Sequence, residues 1–231
     1  MITLQESDRE YICDIQAPCF QQLSGEEAKQ LQQNRTQVLF RKGDTLTKQG
    51  TYPSYILFLI DGVVKQYLEG DDNKTFNLSI QLPGEFIGLS TLFSTETAPY
   101  SVVCLTDCQA VLVTKESLGH VLHANADFTY KLAERHAKQQ SELFETVRNQ
   151  QFKQMNGRLA AALLYLNGLK ERQPSLFTLL SRKDLADFAG IATESAVKLL
   201  KTFEKDGLIE LRDKDIHIRD VEMVQSVYRR G

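Results

Sequence analysis

The stretch that decides the fold covers residues 181–209 and has the sequence SRKDLADFAGIATESAVKLLKTFEKDGLI. Apolar residues recur at helical spacing after Ser181, a favourable helix N-cap, and Gly190 ends this first helix. A second helix follows, with Thr193 as the expected N-cap and Glu194 in the first turn. A short helix, a tight turn and a longer helix predict a helix-turn-helix, whose ordinary alternative is an αα-hairpin in a helical domain.

The second helix has two faces of different character. Its inner face is apolar and carries Ala196, Leu199, Leu200 and Phe203. Its outer face is small, polar and basic and carries Thr193, Ser195, Lys198, Lys201 and Lys205. An outer face of this kind fits the major groove of DNA. A surface for docking a protein would instead expose apolar anchors.

Two short alternating segments follow the second helix, at residues 208–211 and 216–219. They predict a β-hairpin around a polar turn. A hairpin directly after a recognition helix lies along the sugar-phosphate backbone, where Arg212, Lys214 and Arg219 are placed to contact phosphates. The C-terminal part is therefore predicted to be a winged helix-turn-helix.

The composition is that of an ordinary soluble globular protein, with 231 residues, 42% hydrophobic and 25% charged. No apolar run approaches the ~18 residues of a membrane span, and the first residues lack the pattern of a signal peptide. We therefore expect a cytoplasmic protein with no membrane partner. The four cysteines, Cys13, Cys19, Cys104 and Cys108, are expected to be free thiols or ligands rather than a disulfide framework.

The net charge of −3 divides unevenly along the chain. Residues 153–231 carry 14 Lys and Arg against 11 Asp and Glu, and residues 1–152 carry 13 against 19. An acidic first part and a basic last part fit a protein whose C-terminal domain alone approaches phosphate.

The first part of the chain has a different pattern of apolar residues and glycines. After an N-terminal arm, short β-branched and aromatic runs separated by glycine fill residues 38–114 and predict an all-β sandwich or barrel. A stretch from about Asp127 to Met155 then contains neither Pro nor Gly, and its apolar stripe predicts one long helix. Such a helix pairs with a copy of itself, packs against its own barrel, or does both. Asn156-Gly157-Arg158 is expected to interrupt the helical run, which places a domain boundary near Gln154.

This order of parts resembles the Crp/Fnr family of bacterial transcription regulators. The resemblance is carried by Pro83-Gly84-Glu85-Phe86-Ile87-Gly88 with Leu92-Phe93, by Gly157-Arg158-Leu159-Ala160, and by Asp184-Leu185-Ala186 through Leu208-Ile209. It implies an α+β fold with an N-terminal double-stranded, jelly-roll-like β-roll, a long dimerisation helix and a C-terminal winged helix-turn-helix. The expected domains are residues 1–126 for the arm and sensor roll, 127–154 for the helix and 155–231 for DNA binding.

The resemblance also implies partners and DNA-contacting residues. The chain is expected to bind double-stranded DNA as a homodimer on near-palindromic sites, with RNA polymerase as a partner if it activates transcription. Base contacts are implied for the start of the second helix, where Glu194 can accept from cytosine and Lys198 can donate to guanine. Thr193 stands where the family commonly has an arginine, so one guanine contact is expected to be lost. Ser195 completes this polar face, and phosphate contacts are implied for Ser181, Arg182 and Lys201.

The expected effector pocket comprises Gly88, Leu89, Ser90, Tyr100 and Ser101. In cyclic-nucleotide-binding members of the family, a Glu follows the glycine and an Arg precedes the serine. Here those positions are Leu89 and Tyr100, so both charged ligands are missing. A buried phosphodiester without a guanidinium loses a charge-assisted bond worth roughly 1.5–3 kcal/mol. We therefore expect no ordinary cAMP binding, and either a different ligand or none.

Other cofactors and functions remain as alternatives. The gap between Cys13 and Cys19 resembles part of the cysteine cluster of the Fnr branch, but Glu10 stands where that branch has a further cysteine, so we expect no iron-sulfur cluster. No P-loop, HExxH motif or partnered nucleophile is found, and the histidines form no metal-ligand pattern, so we expect no enzyme activity and no metal site. The alternative function is a ligand-sensing regulatory module that controls a protein partner through its helical C-terminal domain.

Overall fold

The computed structural model describes residues 1–5, 8, 36–93 and 97–231, which form two compact units. The N-terminal unit comprises Met1–Glu69 and Ser79–Gln140, and the C-terminal unit comprises Gly70–Leu78 and Ser141–Gly231. Most of the predicted arm, including Cys13 and Cys19, lies outside the described residues.

Short strands dominate the described residues up to residue 114. Their bounds are β1 Ile2–Leu4, β2 Thr36–Phe40, β3 Thr45–Thr47, β4 Tyr55–Asp61, β5 Val64–Glu69, β6 Thr75–Gln81, β7 Phe86–Ile87, β8 Ser101–Cys104 and β9 Cys108–Thr114. They form a five-stranded sheet in the order β1-β2-β9-β4-β7 and a four-stranded sheet in the order β3-β8-β5-β6, with antiparallel pairing where the register is defined. The predicted all-β first part is confirmed.

The two sheets bury a common core between them. Leu57 and Leu59 of the first sheet share one apolar cluster with Val64, Val102 and Cys104 of the second. The outer face of the five-stranded sheet is covered by α1 (Lys115–Ala124) and by the start of α2 (Ala126–Phe152). Because β4 is buried on both faces, its sequence is a continuous apolar run instead of an alternating one.

The long helix α2 changes character along its length. In its first half, Phe128 and Leu132 are buried in the N-terminal unit, and Arg135 donates to the Gly84 carbonyl at 2.7 Å and pairs with Glu85 at 3.1 Å. In its second half the large apolar side chains are exposed: Leu143, Phe144, Val147 and Phe152. One half therefore packs against its own roll, and the other presents an uncovered apolar surface.

Five helices follow α2 in the C-terminal unit. Their bounds are α3 Met155–Gly168, α4 Leu176–Leu179, α5 Arg182–Ala189, α6 Thr193–Lys205 and α7 Val221–Arg230. The helical run is broken at residues 153–154, so the expectation that Asn156-Gly157-Arg158 interrupts it is wrong. Gly157 lies inside α3, and a Cβ there would come within 2.6 Å of the Gly231 backbone. The residue is glycine because two backbone segments approach closely, a contact that local sequence does not reveal.

The helix-turn-helix consists of α5 and α6. Ser181 caps α5 through a reciprocal capping box with Asp184, and Gly190 ends it at φ +61°. The N-cap of α6 is Ala192, without a side-chain bond, so the prediction of Thr193 as the cap is wrong by one residue. Thr193 is the first helical residue because Ala192 still has extended backbone angles.

The wing follows α6 directly. Strands β10 (Ile209–Arg212) and β11 (Asp215–Ile218) pair in antiparallel register around a turn in which Asp213 has φ +53°. The terminal helix α7 was not predicted, although Asp220 caps it by accepting a hydrogen bond from the Met223 amide at 2.8 Å. Its signal was a favourable N-cap before apolar residues at helical spacing.

Candidate nucleic-acid interface

Apolar packing determines which face of the helix-turn-helix is left outside. Leu185, Ala186, Phe188 and Ala189 of α5 are buried, as are Ala196, Leu200 and Phe203 of α6. These positions repeat at helical spacing, so burying them directs the opposite faces outward. The predicted inner face is therefore found as expected, except that Leu199 is half-buried.

The outward face of α6 carries a row of charged residues, which we call the outer stripe: Glu194, Lys198, Lys201 and Lys205. All four are exposed, and their spacing of four, three and four residues places them along one side of the helix. None of them forms an ion pair with any residue that the structure describes. Thr193 and Ser195 flank the stripe and are half-buried. A row of one carboxylate and three ammonium groups can accept from a base edge and donate to bases or phosphates.

The predicted phosphate contacts at the start of α5 have different surroundings. The Ser181 hydroxyl donates to the Asp184 carboxylate at 2.6 Å and accepts from the Asp184 amide at 3.1 Å, so capping already uses it. Arg182 is half-buried, and its Nη2 donates to the backbone carbonyl of Asp213 at 3.1 Å. The start of α5 is thereby connected to the turn of the wing.

The wing arginines are already paired. The Glu210 carboxylate contacts Arg212 Nε at 3.0 Å and Arg219 Nη2 at 3.1 Å. Hydrogen bonds from Arg212 and then from Arg219 lower the pKa of Glu210 to about 2. Lys214 is exposed and forms no ion pair within the described part of the chain. The sequence placed Arg212, Lys214 and Arg219 on the wing, as the structure does, but it did not reveal that Glu210 pairs with both arginines.

The turn between α5 and α6 is held by residues that sequence reasoning did not assign to the interface. Gln150 near the end of α2 donates to the Ala189 carbonyl at 3.2 Å. Arg158 on α3 donates to Gln150 Oε1 at 3.0 Å and to the Gly190 carbonyl at 3.2 Å. The turn is thus fixed from two helices, which orients α6 relative to the end of α2.

The predicted effector residues divide into two groups in the N-terminal unit. Gly88 has φ +85°, and its carbonyl accepts from the Thr91 hydroxyl at 2.7 Å. Burial raises the pKa of Tyr100, an effect that the nearby Ser90 hydroxyl and Gly88 backbone partly offset. Gly88, Ser90 and Tyr100 therefore lie together, beside the half-buried Leu89.

Ser101 belongs to a separate polar network. Its buried hydroxyl donates to Glu69 Oε1 at 2.6 Å and accepts from the Gln49 amide at 2.8 Å. Glu69 also binds Lys48 Nζ at 2.7 Å, and the lysine first and Ser101 second lower the pKa of this carboxyl. The Ser101 hydroxyl is thus already bound to a carboxylate, which is itself paired with Lys48.

The described residues contain no cluster of three or more His, Cys, Asp or Glu side chains suited to a metal ion. Cys104 and Cys108 are buried in the apolar core of the roll, and Cys13 and Cys19 lie outside the residues that the structure describes. Among the described residues, no helix is long and apolar enough to span a bilayer.

Comparisons with known proteins agree with this architecture. Residues 37–125 match the cyclic nucleotide-binding domain and residues 157–227 match the Crp-like helix-turn-helix domain. The chain is 25% identical over 180 residues to the cAMP-activated global transcriptional regulator CRP of Salmonella typhimurium, covering 74% of this chain and 84% of that protein. It is 24% identical over 189 residues to the transcriptional activator protein anr of Pseudomonas aeruginosa, covering 78% and 75%.

Solved structures share the fold. FixK2 from Bradyrhizobium japonicum superposes with a TM-score of 0.73 at 19% identity, over 84% of this chain and 96% of that one. The c-di-GMP responsive regulator CLP of Xanthomonas campestris superposes with a TM-score of 0.72 at 20% identity, over 84% and 99%. The roll, the long helix and the winged helix-turn-helix, together with both matched domains, establish that the chain belongs to the Crp/Fnr family of transcription regulators.

Proposed function

We propose that this chain is a sequence-specific DNA-binding regulator that acts as a homodimer on near-palindromic operators, with α6 as the recognition helix. The observation that carries the proposal is the outer stripe, whose four exposed charges have no ion-pair partner among the described residues. Charges left unpaired on one side of a helix are available to base edges and phosphates. The family membership of the chain supports the same conclusion.

Individual residues of the stripe have separable roles in this proposal. Lys201→Ala should weaken binding similarly on all duplexes and reduce the slope of log K against log salt by about one, because one phosphate contact is lost. Glu194→Ala should relax the preference at one base position per half-site. Arg230→Ala, at the end of α7, is the matched control. Unchanged binding of both stripe variants to every duplex would show that this face is not the interface.

The homodimer is supported by the exposed second half of α2. Phe144 is 65% exposed and Val147 is 51% exposed, and with Ala137 and Gln140 they follow the alternating three- and four-residue spacing of a coiled-coil seam. The same seam on a second copy of the helix can pack against it across a two-fold axis. Two recognition helices related by a two-fold axis bind half-sites about one turn of DNA apart.

The roll is proposed to respond to a ligand other than a cyclic nucleotide, or to none. The support is the Glu69 carboxylate, which holds the Ser101 hydroxyl at 2.6 Å. An incoming phosphodiester would meet a negative charge and would find Tyr100 in place of a guanidinium. Isothermal titration with cAMP and cGMP tests this point, and saturable micromolar binding would overturn it.

The alternative, a module that controls a protein partner, receives less support because the outer stripe is polar and charged. Selection of bound genomic fragments distinguishes the two functions. A recovered consensus with two-fold symmetry is expected for the DNA-binding function. Equal binding to genomic and random duplexes by a monomeric protein would contradict it.

A further inference from the structure

The wing carries a carboxylate in the middle of its cationic surface. Glu210 on β10 lies opposite His217 on β11. Arg212 is two residues further along β10, and Arg219 directly follows β11 on the other side of the hairpin. Its Oε1 lies 3.0 Å from Arg212 Nε, and its Oε2 lies 3.0 Å from Arg212 Nη2 and 3.1 Å from Arg219 Nη2. One carboxylate thus engages two guanidinium groups, and its contact with Arg212 is bidentate.

The donors that Glu210 occupies are those that a phosphate would use. A guanidinium binds carboxylate and phosphate through the same pair of parallel N–H groups. The side chains of Arg212 and Arg219 are each 60% exposed, whereas that of Glu210 is 27% exposed. The arginines are therefore accessible to a polyanion, but each must exchange a carboxylate for a phosphate when it binds one.

We propose that Glu210 is an internal competitor for phosphate that limits the sequence-independent affinity of this protein for DNA. The inference rests on the proposed DNA-binding function and deepens it, because it names a residue that sets how much of the affinity comes from the backbone. Contacts to phosphate carry no sequence information, whereas the base contacts proposed for Glu194 and Lys198 of the outer stripe do. By holding two wing arginines, Glu210 lowers the contribution of phosphate contacts to the DNA affinity. The recognition helix α6 then contributes a larger share of that affinity.

Release of the two wing arginines should change the salt dependence of DNA binding by a predictable amount. Each neutralised phosphate contributes about −0.9 to the slope of log K against log salt on duplex DNA. Freeing two arginines should steepen that slope by up to about 1.8. The effect should appear on DNA of any sequence, because phosphates are present in every duplex.

The test compares the wild-type protein with Glu210→Gln on a random duplex over a range of salt concentrations. The expected result is tighter binding and a slope steeper by about one to two. Glu222→Gln on α7 removes the same charge at an exposed position that forms no ion pair with any described residue, and it should change the slope little. An unchanged slope, or weaker binding by Glu210→Gln, would overturn the proposal, and the second result would show that the carboxylate positions the arginines for DNA.

A second set of variants identifies the groups that are released. Arg212→Gln and Arg219→Gln should have small effects in the wild-type background and larger ones in the Glu210→Gln background. Equal effects in both backgrounds would contradict competition by Glu210. The random duplex makes this outcome independent of operator preference. Failure of the wild-type protein to select any genomic sequence would instead count against the proposed function.

Discussion

Arg182 at the start of α5 donates a hydrogen bond of 3.1 Å to the backbone carbonyl of Asp213 in the turn of the wing. The two residues belong to elements that are separated in the sequence and that are both predicted to contact the DNA backbone. Because Asp213 has a positive φ, its carbonyl is held in a defined direction by the turn. The bond therefore couples the position of the wing to the first helix of the helix-turn-helix.

Replacing Arg182 tests whether this residue also contacts a phosphate. Arg182→Gln should weaken binding to all duplexes and reduce the salt slope by about 0.9, because one phosphate contact is lost. Arg229→Gln, at an exposed position on α7, is the matched control. Titrations of duplex at several salt concentrations give the slope. An unchanged slope would mean that Arg182 only tethers the wing.

The capping box at Ser181 should contribute to stability. Ser181→Ala removes the two hydrogen bonds that the Ser181 hydroxyl forms with Asp184 and should lower the free energy of unfolding by about 1 kcal/mol. Ser175→Ala is a suitable control, because Ser175 precedes α4 without a capping bond. Urea unfolding of the full chain measures both. Equal losses would show that the box is not the source of the effect.

Gly62 should be intolerant of a side chain. Its φ is +93°, and a Cβ would lie 2.5 Å from the Asp107 carbonyl oxygen and 2.8 Å from Cys108 Cα. Gly62→Ala should therefore cost more than the roughly 1–2 kcal/mol of left-handed strain alone. Gly43→Ala is the control for backbone strain without steric overlap, because Gly43 has φ +89° and no atom lies within 4 Å of the added carbon. If both variants have the same midpoint of unfolding, the steric argument is wrong.

The exposed seam of α2 should control assembly. Phe144→Glu and Val147→Glu place charges on the apolar surface and should yield a monomer, because burying unpaired charges in a helix interface is costly. Lys138→Glu, on another side of α2, should leave the molecular mass unchanged. Light scattering after size-exclusion chromatography measures the mass. A dimeric Phe144→Glu variant would place the interface elsewhere.

Glu210 should titrate far below an ordinary glutamate. Hydrogen bonds from Arg212 and Arg219 lower its pKa to about 2 from the usual 4.5. Because the folded pKa is depressed, its contribution to stability is complete above the usual pKa and is lost as pH falls toward 2. Carboxyl NMR should show this low pKa in the wild-type protein and a higher one in Arg212→Gln. An unchanged pKa in the variant would exclude the guanidinium as the cause.

Some parts of this protein follow from local sequence. The capping serine, the positive-φ glycine and the apolar spacing around them predict the helix-turn-helix, because these signals act within one or two helical turns. Alternation and turn residues predict the strands and the wing for the same reason. They do not give exact ends, since extended backbone at Ala192 moves the cap of α6 by one residue. They also misassign Gly157, whose neighbour Gly231 is remote in the chain.

By itself, the sequence determined the order of the parts and the inner and outer faces of α6. Only the tertiary structure decided which charges are free and which are paired. Glu210 meets Arg219 through strand register, and Glu69 meets Ser101 across neighbouring segments of the roll. Periodicity places a side chain on a face, whereas its partner on another strand depends on how the whole sheet is paired.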